Sequence, residues 1–123
     1  MGKKGFQDLI VWQRAKDLAV KTYKISMTGG LGRDFGLRDQ IRRSAVSIAS
    51  NLAEGDERET DKESIRFFYI AKGSLAELRT QIQIAYEIGY LERDSYETIE
   101  AGCIEIGRMV GRLIKVRKEA TDR

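Results

Sequence analysis

The sequence predicts an all-α protein, an up-down-up-down antiparallel four-helix bundle that takes residues 1–123 as a single domain. Three observations carry that expectation. Apolar residues recur at spacings of three and four along four separate segments, the period of one face of a helix. The breaks between segments are short and rich in glycine or helix-capping residues, so neighbouring helices must run antiparallel. The chain of 123 residues contains no proline and is long enough to bury one core.

The first helix is expected over about residues 8–27, with Asp8 as N-cap and Leu9, Trp12, Ala15, Ala19 and Tyr23 on its inner side. TGGLG at 28–32 ends it, because glycine's backbone freedom disfavours helix. The second runs over about 35–54, where Leu37, Ile41, Ala45, Ile48 and Leu52 form an apolar stripe and Gly55 offers a natural C′ residue. The third, about 61–88, opens at TDKE, where Thr60 and Glu63 have the spacing of a capping box. Its inner seam is Phe68, Ala71, Leu75, Leu78, Ile82 and Ala85, and GYL closes it. The fourth, about 95–118, opens at DSYE with Asp94 and Glu97 again three apart, and the final EATDR is expected to fray.

A second stripe runs beside the apolar one on the second helix: Gln40, Arg43, Ser47, Asn51 and Glu54. A merely solvated face would carry Lys and Glu, since Ser and Asn are poorer helix formers. The third helix has a matching seam, Phe67, Ile70, Ser74, Glu77, Gln81, Ile84 and Ile88, apolar at both ends and polar in the middle. A hairpin folded near residues 58 and 59 sets Gln40 and Arg43 opposite the turn from Ser74 to Glu77. Arg43 is then expected to fork onto Glu77, with Gln40, Ser47 and Ser74 satisfying the remaining polar atoms. Asn51 lies farther along, directed at backbone or at a second subunit. The alternative is that these side chains are half-exposed, forming only weak surface pairs.

Several function classes are excluded. No apolar run is long enough to cross a bilayer, and the start of the chain has neither a secretory signal nor a myristoylation pattern. A lone Cys103 suits a reducing, cytoplasmic setting. The absence of histidine removes di-iron, haem and phosphorelay bundles along with Ser-His and Cys-His nucleophiles. No metal site, cofactor or phosphate-binding glycine loop is indicated. The acidic run EGDERETDKE holds Glu54, Asp56, Glu57 and Glu59, but nothing beside them in sequence would perturb a carboxylate pKa, so no catalytic residue is assigned and no enzyme is expected.

Binding surfaces remain. The net charge is +3, unevenly spread: residues 106–118 hold five basic groups and no acid, while residues 53–63 hold six acids against Arg58 and Lys62. Arg108, Arg112 and Lys115 share one helical stripe, with Arg117 and Lys118 nearby, and Arg14, Lys21 and Lys24 form a weaker stripe on the first helix. Such residues neutralise phosphates without reading sequence. The other reading is a solvated face that suits the C-terminal dipole of the last helix. Gly107 and Gly111 leave a shallow groove there for a second backbone.

The stretches DLIVWQRAKDL, LRDQIRRSAVSIASNLAEG and FFYIAKGSLAELRTQIQIAYEIGYL resemble the bacterial four-helix-bundle proteins encoded within intervening sequences of 23S ribosomal RNA genes. The likeness spans roughly residues 6–115. Gln40, Arg43, Ser47, Asn51, Ala53, Glu54 and Gly55 match the strongest motif, and Gly73, Ser74, Leu75, Glu77 and Leu78 match the second. TGGLGRDFG departs from relatives that carry a proline in this loop. The resemblance implies a homo-oligomer, typically a pentamer, that is similar to the accessory protein of diversity-generating retroelements. It therefore implies a non-enzymatic scaffold contacting RNA or DNA, or a protein partner such as a reverse transcriptase.

Overall fold

The computed structural model describes residues 5–121. A short 3-10 turn (Phe6–Asp8) leads into helices α1 (Ile10–Ile25), α2 (Gly29–Arg33), α3 (Phe35–Asp56), α4 (Asp61–Glu87) and α5 (Arg93–Thr121). The four long helices close a ring of neighbours in which α1 packs on α3 and α5, and α4 packs on α3 and α5. Their buried side chains form a continuous apolar core. The four-helix architecture is as the sequence predicts, with α2 added in a loop.

That loop is more ordered than its glycines suggest. α1 ends at Ile25, two residues early, and Gly29 turns the chain with φ +66°. The next residues wind the single turn of α2, which buries Leu31. Gly30 lies against the Tyr90 ring, where an added Cβ would come within 2.4 Å of Tyr90 Cδ1. α3 then starts on Asp34, whose carboxylate accepts the Leu37 amide at 3.1 Å.

Asp8 is not a cap: it sits in the 3-10 turn, and Leu9 precedes α1 without any side-chain cap. The inner face of α1 is also rotated from the expected one. Val11, Ala15, Leu18 and Thr22 are buried, while Trp12 and Ala19 are half-buried and Tyr23 is exposed. Thr22 reaches the core because its hydroxyl donates to the Leu18 carbonyl at 2.7 Å.

Gly55 is not a C′ residue either. It lies buried inside α3, and an added Cβ would stand 2.5 Å from Cε1 of Phe68. Its carbonyl accepts the Ser64 hydroxyl at 2.6 Å. Glycine is needed here for close approach of two helices, so α3 continues past it to Asp56.

The α4 start is as predicted, with Thr60 Oγ1 accepting the Glu63 amide at 3.2 Å. Its end is a Schellman motif: the Tyr90 amide donates to the Ala85 carbonyl (2.8 Å), the Gly89 amide to that of Tyr86 (3.0 Å), and Gly89 has φ +89°. All six residues of the predicted α4 seam, Phe68 to Ala85, are buried. α5 begins at Arg93, so Asp94 lies in its first turn and Glu97 pairs with Arg93 (3.4 Å) instead of completing a capping box. Residues 119–121 remain helical where fraying was expected, and residues 122–123 lie outside the described residues.

Gly55→Ala should lower stability by about 1–2 kcal/mol, because the clash with a fully buried ring outweighs the gain in helix propensity. Thermal unfolding followed by circular dichroism checks this: a midpoint roughly 5–10 °C lower is expected, and an unchanged midpoint would contradict the packing described.

Candidate functional site

Of the polar stripe of α3, Ser47 meets α4, while Gln40, Arg43 and Glu54 are exposed and Asn51 bonds within its own helix. Ser47 and Ser74 hydroxyls are hydrogen-bonded across the two helices at 2.8 Å. Asn51 Nδ2 donates to the Ser47 carbonyl (2.9 Å) and hydroxyl (3.0 Å). This register is about one helical turn away from the hairpin expectation, since α3 is longer and its turn begins later. Gln40, Arg43, Ser44, Ser47, Glu77 and Gln81 line a polar pocket of about 360 Å³. Among the described residues no ion pair joins Arg43 to Glu77; both side chains stand exposed at the mouth of the pocket, where water solvates each charge. The two serines occupy the closer, drier position.

The basic residues divide by what holds them. Arg117 is drawn inward: its guanidinium lies 3.5 Å from Asp56, whose side chain is only 2% exposed, and 3.4 Å from Asp61. It also lies 5.5 Å from the Phe68 ring centroid. It therefore ties α5 to the α3–α4 turn, and a phosphate would compete there with two carboxylates. Arg14 donates to Glu105 at 3.2 Å, linking α1 to α5. Lys118 Nζ donates to the Tyr69 hydroxyl at 2.7 Å, and that contact holds the phenol pKa below its ordinary value. Among the described residues, Arg108, Arg112, Lys115, Lys21 and Lys24 are exposed and form no ion pair. Lys24 stands on the edge of a separate apolar groove, so the α1 stripe is not a continuous basic surface.

Two α4 residues extend the α5 surface, and sequence stripes on α1 and α5 alone did not reveal them. Lys72, Arg79 and Arg108 flank a groove of about 390 Å³ whose lining includes Ala76, Ile104 and Gly107. Arg79 is engaged with Glu100 through bonds of 2.8 and 3.0 Å, which raise its pKa further. The seven-residue spacing of Lys72 and Arg79 was the available signal.

Cys103 lies buried beneath this groove, and burial pushes its thiol from the ordinary 9.0 up to about 12. Of the acidic run, Asp56 is engaged by Arg117 and Glu54 by Arg58 at 3.3 Å. Among the described residues no cluster of His, Cys, Asp or Glu could hold a metal ion, and no helix is long and apolar enough to cross a membrane.

On the opposite side, α1 and α3 enclose an apolar groove of about 580 Å³ lined by Trp12, Ala19, Tyr23, Met27, Val46 and Ala53, among others. Phe6 packs edge-on to Trp12 at 5.0 Å between centroids. The Arg42 guanidinium covers Tyr23 at 4.7 Å. The Trp12–Ala19–Tyr23 stripe of α1, expected on the inner side, lines this groove; Trp12 and Ala19 also pack against the core, and Tyr23 is exposed.

Residues 7–112 match the family described as 23S rRNA-intervening sequence protein. In fold the chain is similar to the crystal structure of a protein of unknown function from the S23 ribosomal protein family of Bacteroides thetaiotaomicron. The TM-score is 0.78 and the identity 25%, covering 85% of this chain and 98% of that one. No functionally curated protein matches the chain.

Because the thiol ionises only with difficulty in the folded state, Cys103 should resist alkylation at pH 8 and react once the protein is denatured. The sign for stability follows: a folded pKa above the unfolded 9.0 means this contribution is complete below pH 9 and is lost as pH rises towards 12. Mass spectrometry after iodoacetamide treatment checks the first point, and rapid native labelling would contradict it.

Proposed function

This chain belongs to the 23S rRNA-intervening sequence protein family, and from that premise we propose that it is a non-enzymatic, oligomeric accessory protein of the cytoplasm that binds nucleic acid through the cations of α5. The observation that carries the reading is the free state of Arg108, Arg112 and Lys115. These three exposed side chains follow one helix face and are engaged by no carboxylate among the described residues, while Arg14, Arg79 and Arg117 are all engaged. Unengaged cations can replace the counterions of phosphates without first giving up a partner. They carry no base-reading geometry, so the binding is independent of sequence.

Oligomerisation supports such binding, because a ring repeats a weak patch and multiplies its contacts. The apolar α1–α3 groove and the exposed Ile70 and Ile84 of α4, with Ile88 at its C-cap, are two different unpartnered faces, which suits head-to-tail closure of a ring. Five copies is the count that the family resemblance implies. The lack of histidine and the protonated thiol support a role without catalysis. The same groove favours a second reading, in which the chain is a scaffold for another protein such as a reverse transcriptase and has no physiological nucleic-acid ligand.

A salt series separates the two. Affinity for labelled RNA and DNA should fall linearly on a log–log scale, by roughly 0.7 per neutralised phosphate on single strands and 0.9 on duplex. The variant R108E/R112E/K115E should lose binding while keeping its fold and assembly. Absence of binding at low salt, or affinity indifferent to salt, would overturn the nucleic-acid reading and favour the scaffold.

A further inference from the structure

We propose that the α4–α5 face binds single-stranded nucleic acid in an extended form, with Tyr69 stacking one base while Lys72, Arg108 and Lys115 hold neighbouring phosphates. The proposal rests on the nucleic-acid reading above and adds to it a stacking residue and a strand type.

Tyr69 is 46% exposed on the edge of α4 nearest α5. A tyrosine left this open keeps a large apolar ring in water without contributing to the core. Among the described residues no other aromatic ring stacks on it. The ring is nevertheless held in place. Lys118 donates to its hydroxyl at 2.7 Å, and the Lys118 and Lys72 ammonium groups lie 5.2 and 6.0 Å from its centroid. A tethered ring with few rotatable bonds loses little freedom when a base settles on it.

Lys72 connects this ring to the groove, since it also lines the pocket that contains Ala76, Gly107 and Arg108. The floor there is low. A Cβ added at Gly107 would have Leu75 Cδ1 at 3.9 Å as its neighbour, and one at Gly111 would meet nothing within 4 Å. A sugar-phosphate chain can therefore approach the backbone of α5 closely. Glu100, the acid on the groove's other end, is already neutralised by Arg79. Phosphates passing over the groove thus meet positive charge on both helices.

Duplex and single strand use this face differently. Bases within a duplex are stacked on each other, so an exposed ring on a protein surface meets only backbone. Unpaired bases present a π-face of any sequence, and aromatic residues between cations are the recurring platform for them. The ring gives this chain no means of choosing among bases, and the cations give it none either.

The test uses the full chain at low salt with fluorescent oligo-uridine of about 15 nucleotides and a duplex of about the same length. Tyr69→Ala should weaken single-strand binding roughly 10-fold or more and leave duplex binding unchanged. Tyr69→Phe keeps the stacking face and should stay within about threefold of the parent. Lys72→Gln should weaken both ligands and lower the salt slope by roughly one contact. Equal effects of Tyr69→Ala on both ligands, no effect on either, or a loss in Tyr69→Phe as large as in Tyr69→Ala would each overturn the stacking role while leaving phosphate binding standing. A parent protein that binds neither oligonucleotide would overturn both readings together.

Discussion

The ring of Phe68 rests against the bare backbone of Gly55, and the rest of the bundle is arranged around that contact. It lets α3 and α4 approach at the tip of their hairpin, where the Ser64 hydroxyl closes on the Gly55 carbonyl. Fixing the tip fixes the register below it, so Ser47 meets Ser74 and the apolar seam of α4 turns wholly inward. Arg117 lies over the same ring and bridges Asp56 and Asp61, which docks the end of α5 at the same point. Three helices are thereby positioned by one buried phenyl ring and one missing side chain.

Charge is sorted by the same arrangement. Cations that meet an acid on a neighbouring helix become ties: Arg14 to Glu105, Arg79 to Glu100, Arg117 to the hairpin turn. Those on the outward line of α5 meet none among the described residues and remain free to attract anions from solution. The mild net charge of +3 is thus a poor guide to the surface, because engaged pairs cancel locally and leave a concentrated positive face. The exposed pairs contribute little to stability and serve mainly to fix geometry.

Much of this was legible in the sequence, and the exceptions have physical causes. The α4 seam and its Thr60 cap could be read because period and capping chemistry agree there. The inner face of α1 could not, since Trp12–Ala19–Tyr23 and Val11–Leu18–Thr22 are adjacent stripes of similar periodicity and only packing chooses between them. Gly55 has the composition of a helix stop, and its real role depends on Phe68, a residue of another helix. The expected Arg43–Glu77 fork needed side-chain reach as well as register, and solvent took both charges. Arg117 belonged to a stripe by spacing and to the core's edge by its distant partners. Lys72 and Tyr69 lie on the edge of α4 away from its buried seams, where no apolar period marks them, and only the docking of α5 brings them beside its cations.

The central claim is that the free cations of the α4–α5 face, and not those of α1, are the nucleic-acid contact. Acetylation footprinting of surface lysines, with and without a single-stranded oligonucleotide, measures this directly at individual residues. Lys72 and Lys115 should become protected while Lys16, Lys21 and Lys24 react as before. Protection confined to the α1 lysines, or the same reactivity everywhere with the strand bound, would contradict the account.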